Sequence, residues 1–248
     1  MSLTVERTLA GLALRQLVSR KRVLALVAVA ALPVLLALPL RGGMEGRSPE
    51  EALAELYVSF VVAVILPIVA LVIGNSVFGA EVDDGTILYV LGKPVPRWRI
   101  VLVRILTAAA AVAAVLVPAT LLSAVAVFGG LDPARLAVSF AIASVVGGLL
   151  YSAIFVALSL STRRALVVGL LYVIVWEGLL SSLFAGTRAL SVRQYVIAIA
   201  DALSDAGGGA FFAELERGTA FVMAVVVGVA TTLFAIRRLQ RFEIGEAL

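Results

Sequence analysis

The sequence contains no cysteine and no histidine. The first absence excludes disulfides, thiolate metal sites and cysteine nucleophiles. The second removes imidazole ligands and the commonest general base. Charge is also scarce, at 15% of residues, against about 25% in an average soluble domain. Apolar residues fill the place: 62% of the 248 residues are hydrophobic, and the mean hydropathy is +1.12. The excess is gathered into long runs, which marks an integral membrane protein. A pI of about 9.8 would suit nucleic acid in a soluble chain. Here loop cations following the positive-inside rule account for it, and no nucleic-acid partner is expected.

Six runs are long enough to span a bilayer: Val23–Leu40, Tyr57–Gly79, Ile105–Phe128, Leu136–Leu160, Ala165–Phe184 and Gly218–Ile236. A hydrocarbon core of about 30 Å needs about 20 helical residues. None of the runs alternates apolar with polar residues as barrel strands do, so helices are predicted. The expected fold class is an all-α integral membrane protein with six transmembrane helices in one domain. The first run is not read as a cleaved signal peptide, because its apolar stretch is too long and no small-x-small site precedes Arg41. Most of the 20 Lys and Arg fall before the first span, in 80–104, in 161–164 and after the last span. That asymmetry predicts cytoplasmic termini and a multi-pass protein of the cell's inner membrane. Abundant Ala, Val and Arg with little Lys point to a GC-rich bacterium.

Thr4, Thr8, Gly11, Arg15 and Ser19 recur at helical spacing, with Leu9, Leu12, Ala13 and Leu17 on the broader apolar side. Arg20, Lys21 and Arg22 follow as a cationic collar. The pattern predicts an amphipathic N-terminal helix on the membrane surface.

Between the second and third runs lies "EVDDGTILYVLGKPVPRWR", from Glu81 to Arg99. Asp83 and Asp84 precede Gly85-Thr86 and the apolar run Ile87–Leu91, as an N-cap and its helix would. Gly92 is a natural stop, and Pro94 keeps the helix from resuming. Pro96 suits the start of the next helix, with Arg97, Trp98 and Arg99 as interface anchors. A plain hairpin needs only a few residues, so this segment encodes an additional short helix with acid before it and base after it.

Glu81, Asp84-Gly85-Thr86, Pro94-Val95-Pro96-Arg97 and Arg104 resemble the segment after the second span in permeases of ABC-2 type transporters. The outline is similar as well: an amphipathic N-terminal helix, six spans and a longer outer segment before the last. Pro96 stands where that family often has Ser or Thr, and Arg104 where Lys is common. The resemblance implies a permease subunit, functioning as a homodimer or heterodimer with two copies of a cytoplasmic ATP-binding subunit. A coupling helix within 80–104 would dock on the ATPase, with Glu81, Asp83, Asp84, Gly85, Thr86, Lys93, Pro94 and Arg97 at that interface. Export is the direction the resemblance implies. ATP and Mg would be held by the partner; no cofactor, metal or catalytic residue is expected in this chain. Its own P-loop is excluded, because six residues separate Gly85 from Gly92 and Pro94 follows Lys93.

Within the spans, Glu177 is the one acidic residue far from a run's ends. Intramembrane carboxylates usually face protein or water. Glu177 is therefore a candidate for the translocation path or the dimer interface, or a group paired with Ser181 or Arg188. Ser144, Gly148 and Ser152 repeat at four residues and suit close helix packing. Pro33, Pro67 and Pro118 read as tolerated kinks. In the outer segment 185–217, Ser191 is placed to cap a helix whose Val192, Tyr195, Val196, Ile199 and Leu203 share a face. An intramembrane enzyme is disfavoured by the lone carboxylate. An ATPase-independent secondary transporter or membrane scaffold is the alternative, though no inverted repeat is evident.

Overall fold

The computed structural model describes residues 20–42, 46–83, 96–130, 134–181, 185–204, 211 and 213–241. Among these the fold is helical. The order is α1 (Arg20–Ala37) with a 3-10 turn (Leu38–Gly42), then α2 (Pro49–Leu56). A π-helical segment (Tyr57–Ile65) joins α2 to α3 (Leu66–Asp83), and α4 (Arg97–Phe128) and α5 (Ala134–Ser159) follow. After α6 (Ala165–Leu171) come a second π segment (Tyr172–Leu180), a 3-10 turn (Ala185–Leu190), α7 (Val192–Ser204) and α8 (Arg217–Gln240).

Five of the resulting helices are long and apolar enough to cross a membrane, and the helix over Ala165–Leu180 is shorter. The protein is thus an all-helical, multi-pass membrane protein. The expected N-terminal surface helix and the helix over Ile87–Leu91 lie outside the described residues.

Helix ends follow local chemistry. The helix of the second span starts at Pro49, well before the apolar run at Tyr57. Ser48 Oγ accepts from Glu51 N–H at 3.2 Å, and Glu51 accepts from Ser48 N–H at 3.0 Å. This is a reciprocal capping box with Pro at the first position. The signal was present in Ser48-Pro49-Glu50-Glu51 and is polar, so a search for apolar runs passes over it. α4 likewise begins at Arg97, one residue after Pro96, and carries Arg104 in its third turn as a buried side chain. Arg104 therefore belongs to the helix packing and not to a loop.

α4 ends at Gly129, whose φ is +73° and whose N–H bonds Val125 O at 2.8 Å. A left-handed C-terminal residue favours glycine, since a Cβ there is strained. Gly129→Ala is expected to lower stability by about 1 kcal/mol, measured as the thermal midpoint of the detergent-solubilised protein.

α5 is the centre of the bundle. It packs on α4, α3, α7 and α8, and 67% of its span is buried, against 17% for α1 and for α8. Lipid tails are as apolar as leucine, so helices gain little from the hydrophobic effect when they meet in a bilayer. Close backbone approach and van der Waals contact decide the packing instead. Small residues on α5 permit that approach. A Cβ on Gly148 would lie 2.9 Å from Val112 Cγ1 on α4, and one on Gly147 would collide with Val196 on α7. On α3, a Cβ on Gly74 would come within 3.0 Å of Phe155 Cβ.

The first π segment precedes Pro67. Leu66 N–H reaches Val61 O, five residues back. A proline ring clashes with the carbonyl four residues earlier, and a wide turn relieves that clash. The segment also directs Tyr57 into the core. Its hydroxyl donates to Thr120 O at 2.7 Å and lies 3.0 Å from Ser123 Oγ. Those partners sit one turn beyond Pro118 on α4, so two proline-bearing helices are joined next to their irregularities. Tyr57 also packs on Phe140 of α5 at 5.0 Å between ring centroids.

Candidate functional site

Besides the Tyr57 contact, two polar junctions stand out among the described residues. The first is built around Glu177, which is 2% exposed. Oε1 accepts from Tyr172 OH at 3.0 Å and from Val192 N–H at 3.0 Å. Oε2 accepts from Ser191 Oγ–H at 2.5 Å and from Arg193 N–H at 3.4 Å. Four donors around two oxygens fill the acceptor sites of the carboxyl group. Two of them are N–H groups of the first turn of α7, which have no partner inside their own helix. The carboxylate therefore completes that turn, where the helix dipole also favours negative charge. Ser191 Oγ accepts in turn from Gln194 N–H at 3.3 Å, so serine and carboxylate share the capping of one helix.

The second π segment makes this geometry accessible. Tyr172 and Glu177 are five residues apart, a spacing that puts side chains roughly 140° apart around an α-helix. Winding to five residues per hydrogen bond brings them to one side; Ser181 N–H bonds Trp176 O accordingly. Trp176 Nε1–H donates to Leu190 O at 3.3 Å and ties the same segment to the turn before α7. Tyr195 completes the junction by donating to Ala189 O at 2.5 Å. Burial, and secondarily the Glu177 charge, push its phenol up to about 12.

The partners anticipated for Glu177 are different ones. Ser181 Oγ–H donates to the Glu177 backbone carbonyl at 2.6 Å, and Arg188 Nε pairs with Glu214 at 3.0 Å. The reason is distance in sequence. Ser191 and Val192 lie 14 and 15 residues from Glu177, beyond any helical periodicity. In α7 itself, Val192, Tyr195 and Val196 are fully buried, while Leu203 is 43% exposed.

The second junction is Arg97. Its Nη1 donates to Leu239 O at 3.2 Å and to Gln240 O. The last carbonyls of a helix lack intrahelical partners, and a cation there also suits the dipole. The first residue of α4 thus closes the end of α8, across a separation of 142 residues.

The other residues singled out in the sequence are placed as follows. Glu81 and Asp83 fall in the last turn of α3. Asp84, Gly85, Thr86, Lys93 and Pro94 lie outside the described residues. Ser144 and Ser152 are fully buried on α5 on either side of Gly148. Among the described residues no group of three or more His, Cys, Asp or Glu is arranged to hold a metal.

The long apolar helices, their close-packed glycines and the internally satisfied carboxylate define a polytopic helical membrane protein. The chain belongs to a family described as ABC-2 family transporter protein, whose model matches residues 7–242. No curated protein matches it. Members of this family are transport subunits, not themselves catalytic, and the family implies a partner ATP-binding subunit.

Proposed function

We propose that this chain is the permease of an ABC exporter, and that 80–104 couples ATP hydrolysis by a separate subunit to movement of the bundle. Two permeases, identical or homologous, would work with two ATP-binding subunits, which hold ATP and Mg. The chain then has six spans, with Ala165–Leu180 and the residues just beyond it forming the fifth. Both termini and 80–104 lie on the cytoplasmic side of the inner membrane. The N-terminal amphipathic helix rests on that surface, and 185–217 forms the outer segment.

One observation carries this reading beyond the family. The two helices that flank residues 84–95 both pack on α5, and Arg97 fastens the start of α4 to the end of α8. A push on the segment between them would reach the centre of the bundle and its last helix together. α5 also packs on α7, whose first turn is held by Glu177. Force applied at one end of the bundle thus has a packed route to the other.

The test is co-purification of an ATP-binding subunit from native membranes in mild detergent. The wild-type chain is expected to bring one with it, and Glu81→Arg with Asp84→Arg to lose most of it. Arg97 is left unchanged because it also closes α8. Absence of any ATPase with the wild type would favour an ATPase-independent transporter or scaffold. Equal recovery with both chains would keep the complex and remove the acidic docking residues.

A further inference from the structure

A groove of about 580 Å³ runs between α4, α5 and α8, with Ile199 of α7 also on its wall. Thr232 is the one side chain along it with a polar group; the rest are apolar. We propose that this groove holds an acyl chain of an anionic phospholipid, whose headgroup sits at the end of the groove between Arg99 and Arg237.

The walls show why. On α8 the lining residues Phe221, Val225, Val229 and Leu233 recur at four residues and so form one ridge inclined to the helix axis. The next residue of that ridge is Arg237, which is exposed. On α4 the lining residues Leu106 and Leu102 continue at helical spacing to Arg99, which is partly exposed and lies 5.1 Å from the Trp98 ring centroid. The bond from Arg97 to Leu239 and Gln240 brings those two helix ends together. Both apolar walls therefore finish in a cation at the same end of the bundle. None of α4, α5 and α8 contains an acidic residue, and Asp201 of α7 pairs with Arg217 at the opposite end of α8. Phe221 to Leu233 covers about 18 Å along α8. One leaflet of hydrocarbon is about 15 Å deep, so the groove matches a single acyl chain of one leaflet.

Other occupants fit less well. Ligand pockets with chemical selectivity present several convergent polar groups, and one threonine does not orient a functionalised substrate. A second copy docked symmetrically on this face would bring the arginines of both chains together and set like charges against each other. A phospholipid satisfies both ends, with chain in the groove and phosphate at the arginines. The proposal rests on the membrane class of the protein and not on ATPase coupling, so either can fail alone.

The full-length protein, stripped of lipid by detergent exchange, would be offered phosphatidylglycerol or phosphatidylcholine with matching acyl chains. Retained lipid would be counted by native mass spectrometry. The wild type is expected to keep one phosphatidylglycerol per chain, with a preference of roughly thirtyfold over phosphatidylcholine from two arginine contacts. Arg99→Gln with Arg237→Gln should abolish the preference while the protein stays monodisperse. Val229→Trp, which fills the groove, should reduce retention of both lipids; the charge variant carries the test if this one misfolds. Equal retention of the two lipids by the wild type overturns the proposal, as does a preference that survives loss of both arginines. The chain has no cysteine, so Val225→Cys is a unique reporter. Efficient disulfide dimers through it in native membranes would place a second copy in the groove and overturn the proposal as well.

Discussion

Glu177→Ala is expected to destabilise the protein by roughly 3 kcal/mol. A neutral interhelical hydrogen bond in a membrane averages about 0.6 kcal/mol, so one lost bond would not have this effect. Glu177 is different because it serves four donors at once. Removing it leaves the Val192 and Arg193 N–H groups with no acceptor in a buried site, and each such group costs about 1–3 kcal/mol. Ser191 still caps the Gln194 N–H, which limits the loss. Glu177→Gln should fall between alanine and wild type. Its amide nitrogen can face Ser191, whose hydroxyl can turn to accept, while its oxygen keeps Val192. The sequence has two tryptophans, so Trp98→Phe leaves Trp176 as the sole reporter at this junction. Thermal midpoints read by its emission should rank wild type, glutamine, alanine. Indistinguishable midpoints for wild type and alanine would mean that α7 is held by packing alone.

Gly147→Leu should have an effect at least as large. A Cβ at Gly147 would overlap Val196 and lie 2.8 Å from Leu66 Cδ2. Both neighbours are fully buried, so neither has room to retreat. Overpacking a tight core costs about 1–3 kcal/mol and sometimes more, and leucine adds three carbons beyond the Cβ. The expected result is loss of the monodisperse species after heating to a temperature that wild type survives. Two substitutions calibrate the measurement. Gly148→Ala meets one side chain, Val112, with Cγ1 at 2.9 Å, and should be milder; Gly218→Ala meets nothing within 4 Å. In a helix such as α8 the latter should stabilise by about 0.4–1 kcal/mol through the unfolded chain. If Gly147 and Gly218 variants behaved alike, the close contact of α5 with α7 would not be a determinant of the fold.

These two positions show what kinds of information the sequence carries. Ser144, Gly148 and Ser152 are conspicuous because they repeat at four residues. Gly147 ends a quieter repeat of the same spacing, Ser139-Ala143-Gly147, and the structure gives it the tighter contact. A spacing rule identifies a face of one helix, and cannot say which partner presses hardest on it. Glu177 was legible as an unusual group, since an acid inside an apolar run is costly wherever it sits. Its partners were not legible, because the donors belong to a segment that returns only after the chain has turned at the membrane boundary. Ser191 was legible as a cap because capping is local, and its bond to Gln194 N–H is three residues long.

The long apolar helices and their approximate limits are properties of local composition, and the sequence by itself determined them. About 20 consecutive apolar residues have one low-energy state in hydrocarbon, a helix that satisfies its own backbone. Caps and stops at Ser48, Pro96 and Gly129 belong to the same class, because each acts within one turn. Tertiary structure alone decided the rest. It chose α5 as the centre, joined Arg97 to the end of α8 and set Glu177 on the first turn of α7. It also opened an apolar groove between α4, α5, α7 and α8. Each depends on which helices become neighbours. In lipid that choice is made by shape and a few polar contacts between residues far apart in the chain, because apolar surfaces there are nearly interchangeable.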